Sequence, residues 1–309
     1  MAILFRPFLP IDKTHWIPLL QQELKDLDFR VWPDIGDPAD ITYYMGWEVF
    51  EGDIDAYPNL RAFLSLRAGV ERFIGNPNFP RNAKLIRMID PGLTESMVEY
   101  VISYVMRFHR EHDKMPEYLE PPWGRLLPKR AGATSVGLMG MGHIGQSCAQ
   151  KLVSLGFHVQ GWSQSKKNID GVKSFAGHSE LDTFLSSTDI LVCILPLTPQ
   201  TSGILNKDLF YKLPKGAAII NVARGKHLIE EDLVSAIQGG QIGIAALDVF
   251  RKEPLPKDHP FQNIDRILTT PHIAGITSPD TAVPVMRKTI TDIEAGHLPD
   301  GLVDIEKGY

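Results

Sequence analysis

Cysteine is almost missing from this sequence: Cys148 and Cys193 are the two that 309 residues carry. Neither stands in a CxxC or metal-ligand spacing, so neither points to a disulfide scaffold or a cysteine-ligated metal. No metal is expected, and two buried thiols in a reducing cytoplasm are. Basic residues are in deficit too, 32 Lys and Arg against 37 Asp and Glu. The formal net charge of −5 gives no general attraction to nucleic acid or to an anionic membrane. No apolar run approaches the roughly 20 residues that span a bilayer. The opening "MAILFRPFLP" breaks at Arg6 and Pro7 and lacks a small-residue cleavage site, so it reads as a first strand. Internal repeats and low-complexity tracts are absent as well. The remainder, 43% apolar and 22% charged, has the balance of a soluble globular chain long enough for two domains.

Strand-like and helix-like stretches alternate over the first 90 residues or so. "AILFRPF" and "FRVWP" flank "HWIPLLQQELKDL", and "DITYYMGW", "LRAFLSL" and "KLIRMI" follow, which predicts a small parallel α/β domain. "LTESMVEYVISYVMRFHREH" predicts a long helix with Thr94 as N-cap, its apolar Met97, Val101, Tyr104, Val105 and Phe108 at helical spacing. His109 and His112 on it are expected to face solvent. A Pro- and Gly-rich connection follows. From residue 134 a second alternation predicts strands at "TSVGLM", "FHVQG", "DILVCIL", "AAIINV", "GIAAL" and "RILTT", short apolar runs of the kind buried on both faces of a parallel sheet. A last helix is expected near the end, shortened or kinked by Pro284. The fold class is therefore α/β, with parallel sheets in both halves of the chain.

"GLMGMGHIGQSCAQKL" places Gly140, Gly142 and Gly145 in G-x-G-x-x-G order between a strand and a helix, with Met141, His143 and Ile144 in the same loop. The first glycine permits a tight turn, the second lets the backbone approach a pyrophosphate, and the third lets helix and strand pack closely. Ile144, Cys148, Leu152 and Leu155 are expected to face the core. About 20 positions further on, where an acid would hold a bare ribose, stand Ser163, Gln164, Ser165, Lys166 and Lys167. Hydroxyls and lysines there favour a 2′-phosphate, and so NADP(H), NADPH in a reduction, with NAD(H) the alternative.

Three later strands end in polar side chains: Arg224 after "AAIINVA", Asp248 and Glu253 after "GIAAL", and His272 after "RILTTP". In an open parallel sheet ligands sit beyond the carboxyl ends of the strands, so residues remote in sequence converge there. The segments "GLMGMGHIG", "ILPLTPQTSGILN", "INVARGKHLIEEDLVSAI", "AALDVFRKEPLP" and "TPHIAG" closely resemble the D-isomer-specific 2-hydroxyacid dehydrogenases. With "GWSQSKK" and "VDIEKGY", the chain is similar to the glyoxylate/hydroxypyruvate reductase branch. That resemblance implies an oxidoreductase, usually a homodimer, reducing a small 2-oxo acid to a D-2-hydroxy acid. It implies catalytic roles for Arg224, Glu253 and His272. His272 would donate the proton, Glu253 would favour and orient its charged form, and Arg224 would grip the substrate carboxylate. It also implies that Asp248 meets the nicotinamide carboxamide, and that Leu195, Pro196, Leu197 and Val222 line the coenzyme.

For the substrate, the resemblance points to backbone N–H groups of "SLRAGVERF", at Ala68 and Gly69, although Arg67 stands where a glycine is expected. Arg67 is either a second cation for an anionic substrate or a solvent-facing side chain. Trp47 either walls the substrate or belongs to the core. Trp123 resembles a residue that reaches the partner's active site in related dimers, and the long helix is the expected dimer surface. The resemblance implies two lobes, Rossmann-like and flavodoxin-like, with a coenzyme lobe of 94–282 inserted into a substrate lobe of 1–93 and 283–309. Closing about hinges near residues 94 and 283, they would shield hydride transfer from water. Other readings are a nucleotide-sensing corepressor-like protein and a dehydrogenase for a bulkier 2-oxo acid. Glu253 speaks against formate dehydrogenase, which has glutamine there.

Overall fold

The computed structural model describes residues 1–50, 56–74, 76, 79, 83–114 and 129–306. In chain order its first elements are β1 (Ala2–Arg6), α1 (Ile17–Glu23), β2 (Asp28–Val31), β3 (Ile41–Gly46), β4 (Ala62–Ser65), α2 (Glu71–Ile74), β5 (Lys84–Ile86) and α3 (Pro91–His109). Next come β6 (Ser135–Met139), α4 (His143–Ser154), β7 (His158–Ser163), β8 (Val172–Ala176), α5 (Leu181–Ser186), β9 (Ile190–Cys193), α6 (Lys207–Phe210) and β10 (Ala217–Asn221). The last are α7 (Glu230–Gln238), β11 (Ile242–Leu247), β12 (Ile267–Thr269) and α8 (Pro279–Glu294). They form two compact units, Met1–Leu93 with Ile276–Tyr309, and Thr94–Gly275. Both are α/β.

The first unit has a parallel sheet in the order β2-β1-β3-β4-β5. Strand alternation sends Ile3, Phe5, Tyr43 and Met45 to one face and Ala2, Leu4 and Tyr44 to the other. The former face packs on Trp16 and Leu20 and on the Ala282, Val283, Met286, Ile290 and Ile293 stripe of α8. The latter is filled by Tyr57, Phe63, Phe73 and Phe79. Each fully buried side chain of this size contributes roughly 1.5–3 kcal/mol. Because the α8 stripe begins at Ala282, and Thr277 Oγ1 donates to Leu66 O at 3.1 Å, the second boundary lies at Ile276 rather than 283.

Pro284 does not shorten α8, which continues to Glu294 around it. Thr94 is not the N-cap of α3. The helix starts at Pro91, where the missing N–H costs nothing, and Asp90 caps it by accepting from Gly92 N (3.1 Å) and Leu93 N (3.0 Å). Nor does His109 face solvent: its Nδ1 lies 3.0 Å from Thr134 Oγ1 and its ring meets Phe157 edge-on, while His112 is exposed.

The second unit carries seven parallel strands in the order β12-β11-β10-β9-β6-β7-β8. The order reverses between β6 and β9, which makes their carboxyl ends the switch point where such sheets bind ligands. One face holds Met139, Leu191, Cys193, Ile219, Ala245 and Leu247, packed on Phe184, Phe210 and Leu233. The strand β8 ("VKSFA") was not foreseen, since Lys173 and Ser174 interrupt any apolar run. The core-facing residues of α4 are Gly145, Cys148, Ala149 and Leu152, whereas Leu155 is exposed. Both cysteines are free and buried, and burial pushes each thiol up to about 12.

Candidate active site

Six neighbouring strands of the second unit deliver their carboxyl ends to one edge, and the expected coenzyme and catalytic residues lie at those ends or in the segments that leave them. The ends are tied to one another by backbone bonds. Gly140 N donates to Trp162 O at 2.9 Å, Ile194 N to Met139 O at 2.8 Å, and Val222 N to Cys193 O at 3.3 Å. Asp248 N donates to Asn221 O at 3.1 Å, and Thr270 N to Leu247 O at 3.0 Å. The chain's alternation of strand and crossover thus sets its polar side chains in a row.

At the switch point the three glycines have three separate reasons. Gly140 has φ +110°, and a Cβ there would lie 2.6 Å from Ile194 O. A Cβ on Gly145 would lie 2.0 Å from Gly140 O, so only glycine lets α4 close on β6. A Cβ on Gly142, which precedes the first turn of α4, would meet nothing within 4 Å. Open space beside unsatisfied N–H groups at a helix N-terminus is what a pyrophosphate needs, and the loop fits one. Met141 is buried beside Gly161, Ile144 is half-buried, and His143 is exposed in the first helical turn.

The segment after β7 is exposed at Gln164, Ser165 and Lys166, with Ser163 Oγ donating to Ser165 O at 2.8 Å. The fold brings an acid that sequence distance hid. Glu180 Oε1 pairs with Lys166 Nζ at 2.8 Å, and its Oε2 accepts from Ala176 N at 2.7 Å. Those bonds hold the Glu180 carboxyl below its usual range. Past β9, Leu195 is buried, Leu197 half-buried and Pro196 exposed, and past β10 Val222 is buried.

Arg224 follows Val222 and Ala223 and is half-buried, with Nη1 donating to Ala223 O at 2.7 Å. Its turn is set by His227, a fully buried residue that sequence reading passed over. Arg224 N donates to His227 Nδ1 (3.2 Å), which leaves Nε2 to donate to Pro196 O (3.3 Å) and join two strand-end loops. A Cβ on Gly225 would lie 1.9 Å from Phe250 C, so this turn presses directly on the one bearing Glu253. Phe250 N in turn donates to Glu253 Oε1 at 3.0 Å.

Glu253 Oε2 accepts from His272 Nδ1 at 2.8 Å. That bond fixes the imidazole tautomer and leaves Nε2 as the ring nitrogen for another partner. His272 has φ +56°, a left-handed conformation rare for a residue with a side chain. Asp248, 1% exposed, turns both oxygens to the same loop. Oδ1 accepts from Thr270 Oγ1 (2.6 Å) and Ile273 N (2.9 Å), and Oδ2 from Ala274 N (2.8 Å). The expected nicotinamide contact of Asp248 therefore competes with three internal donors. Among the described residues no three His, Cys, Asp or Glu gather as a metal site.

The substrate residues expected in the first unit stand at the ends of neighbouring strands, Trp47 after β3 and Ala68 and Gly69 after β4. Trp47 is half-buried. Its indole N–H donates to Asp12 Oδ2 (3.0 Å), and its ring meets Trp16 edge-on. Asp12 is fully buried and also accepts from Phe8 N and Leu9 N, a role no sequence motif announced. The Arg67 side chain is held by groups of its own unit. Its Nε donates to Trp47 O (2.9 Å) and its Nη2 pairs with Glu48 (3.3 Å). Arg67 N donates to Ser65 Oγ (3.0 Å), while the N–H groups of Ala68 and Gly69 have no acceptor among the described residues. Trp123 lies outside the described residues.

Residues 98–274 match the family model of the D-isomer specific 2-hydroxyacid dehydrogenase NAD binding domain. The chain is 38% identical to glyoxylate/hydroxypyruvate reductase A of Yersinia enterocolitica, over 99% of each chain. It resembles the crystal structure of a D-isomer specific 2-hydroxyacid dehydrogenase from Xanthobacter autotrophicus Py2 in complex with NADPH and MES. There the TM-score is 0.92 and the identity 35%, covering 100% of this chain and 99% of the other. A similar likeness joins it to an NADPH-dependent glyoxylate/hydroxypyruvate reductase from Sinorhizobium meliloti in complex with NADP and sulfate. That match has a TM-score of 0.90 and 32% identity, over 100% and 99% of the two chains.

Proposed function

The chain belongs to the D-isomer-specific 2-hydroxyacid dehydrogenase family, and on that premise we propose that it reduces a small 2-oxo acid, of the glyoxylate or hydroxypyruvate type, to the D-2-hydroxy acid with NADPH. The single observation that carries the reading is the Glu253–His272 pair, 2.8 Å apart on the loops after β11 and β12, in the same row of strand ends as the glycine turn. When bound, NADPH supplies a hydride to the carbonyl carbon. Gly140, Met141, Gly142, His143, Ile144 and Gly145 would hold its pyrophosphate, and Ser163, Gln164, Ser165 and Lys166 its 2′-phosphate. Leu195, Pro196, Leu197 and Val222 would line it.

His272 donates its Nε2 proton to the carbonyl oxygen as negative charge builds there, while Glu253 holds Nδ1 and so keeps the imidazolium oriented. Arg224 binds the substrate carboxylate with its fork of donors. In the first unit, the residues proposed for substrate binding are Trp47 and the backbone N–H groups of Ala68 and Gly69, which have no acceptor among the described residues. The protein acts as a homodimer through the exposed side of α3, where Met106 is 37% exposed, and works in the cytoplasm, in keeping with its two free thiols.

Initial rates with glyoxylate, hydroxypyruvate, pyruvate and phenylpyruvate, each with NADPH and NADH, test the reading. Fastest turnover is expected for one of the first two with NADPH. Binding of NADPH without turnover of any of the four would favour a nucleotide-sensing protein instead.

A further inference from the structure

One face of α3 grips the His272 loop at both ends, through two side chains outside the catalytic set. Ser96 Oγ donates to Ala274 O at 3.0 Å. One turn on, Tyr100 Oη lies 2.6 Å from Thr270 Oγ1. Residues four apart share a helix face, so the two contacts act from one side and bracket His272.

The sense of the hydrogen bonds follows from proton counting. Asp248 is faced by three donors, Thr270 Oγ1 and the N–H groups of Ile273 and Ala274, and so accepts from all of them. A threonine hydroxyl has one proton, and that proton is committed to Asp248. Tyr100 must therefore be the donor to Thr270. Burial pushes the Tyr100 phenol above its usual range, which keeps that proton in place. A directed chain results, from Tyr100 through Thr270 to Asp248 and thence to the two peptides that follow His272. His272 N also donates to Thr270 O at 3.0 Å. A left-handed residue that is not glycine persists only where its surroundings over-determine it, and these bonds do so.

We propose that Tyr100, assisted by Ser96, is a positioning residue for the reaction: it touches neither substrate nor coenzyme, but sets the direction in which His272 presents Nε2. The proposal rests on His272 being the proton donor.

Tyr100→Phe tests it, since it keeps the ring and its contact with Tyr104 (centroids 4.8 Å apart) and removes one oxygen. The expected result is a fall in kcat of about tenfold, with the NADPH dissociation constant changed less than about twofold, because a small misplacement of a reacting group costs turnover rather than binding. In the NMR spectrum the His272 ring N–H bonded to Glu253 should be sharp in the wild type and exchange-broadened in the variant. A role in stability alone would lower the melting temperature and leave both readouts in place. Ser96→Ala, which severs the other end, should lower kcat by a smaller factor in the same pattern and serves if Tyr100→Phe does not fold. Wild-type kcat and an unaltered ring signal in Tyr100→Phe would overturn the proposal while the site reading stands. Wild-type turnover in His272→Ala would instead remove the site reading and the proposal together.

Discussion

His272 stands with φ +56° and its Nδ1 bonded to Glu253, so its identity and its conformation both serve one ring nitrogen. His272→Ala should lower turnover of glyoxylate by about a hundredfold or more, the usual worth of a positioned acid, and leave NADPH binding near normal by fluorescence titration. Arg224→Ala should do the same to turnover and raise the KM for the oxo acid as well. Lys166 is a different case. Its ammonium is exposed and shared with Glu180, so its contribution is screened. Lys166→Ala should weaken NADPH by about threefold to tenfold and leave NADH unchanged, read from the ratio of the two KM values. The identities of these side chains were legible because each sits in a short motif with a chemical reason. What the sequence withheld was company. Glu180 lies beyond a strand that no apolar pattern marks, and Asp12, His227 and Tyr100 earn their places through bonds formed only on folding.

At the scale of elements, the glycine turn makes a prediction with two arms. Gly145→Ala puts a methyl 2.0 Å from Gly140 O and should cost about 2 kcal/mol or more, seen as a lower urea midpoint. Gly142→Ala meets nothing in the protein and should melt within a few degrees of wild type, yet bind NADPH about tenfold more weakly because its methyl occupies the anion's approach. Strands buried on both faces announced themselves as apolar runs, which is why β6, β9, β10 and β11 were readable and the edge strand β8 was not. Helix ends were harder. Asp90 caps α3 four residues before the threonine that composition favoured, and Pro284 is accommodated within α8.

Across the whole molecule, buried acids set the alkaline limit of stability. Cys148 and Cys193 titrate near 9.0 when exposed and at about 12 in the fold. A raised folded value means that their contribution is complete below about 9 and is lost as pH climbs toward 12, because the unfolded chain ionises first. Tyr43 and Tyr100, also raised by burial, add with the same sign at higher pH. The urea midpoint should therefore decline from about pH 9 upward, less steeply in a Cys148→Ala/Cys193→Ala variant. Folded protein at pH 8 should resist Ellman's reagent, both thiols reacting once denatured.

The bond between Ser96 and Ala274 also joins the beginning of the inserted segment to its end. A fragment cut from Asp90 to Ile276 would keep its helix cap, its own seven-stranded interior and a clasp between its new termini. Such an excised module should fold alone and still capture NADPH, yet reduce nothing. Nature and engineers alike could then transplant it into another host chain without loosening its seams.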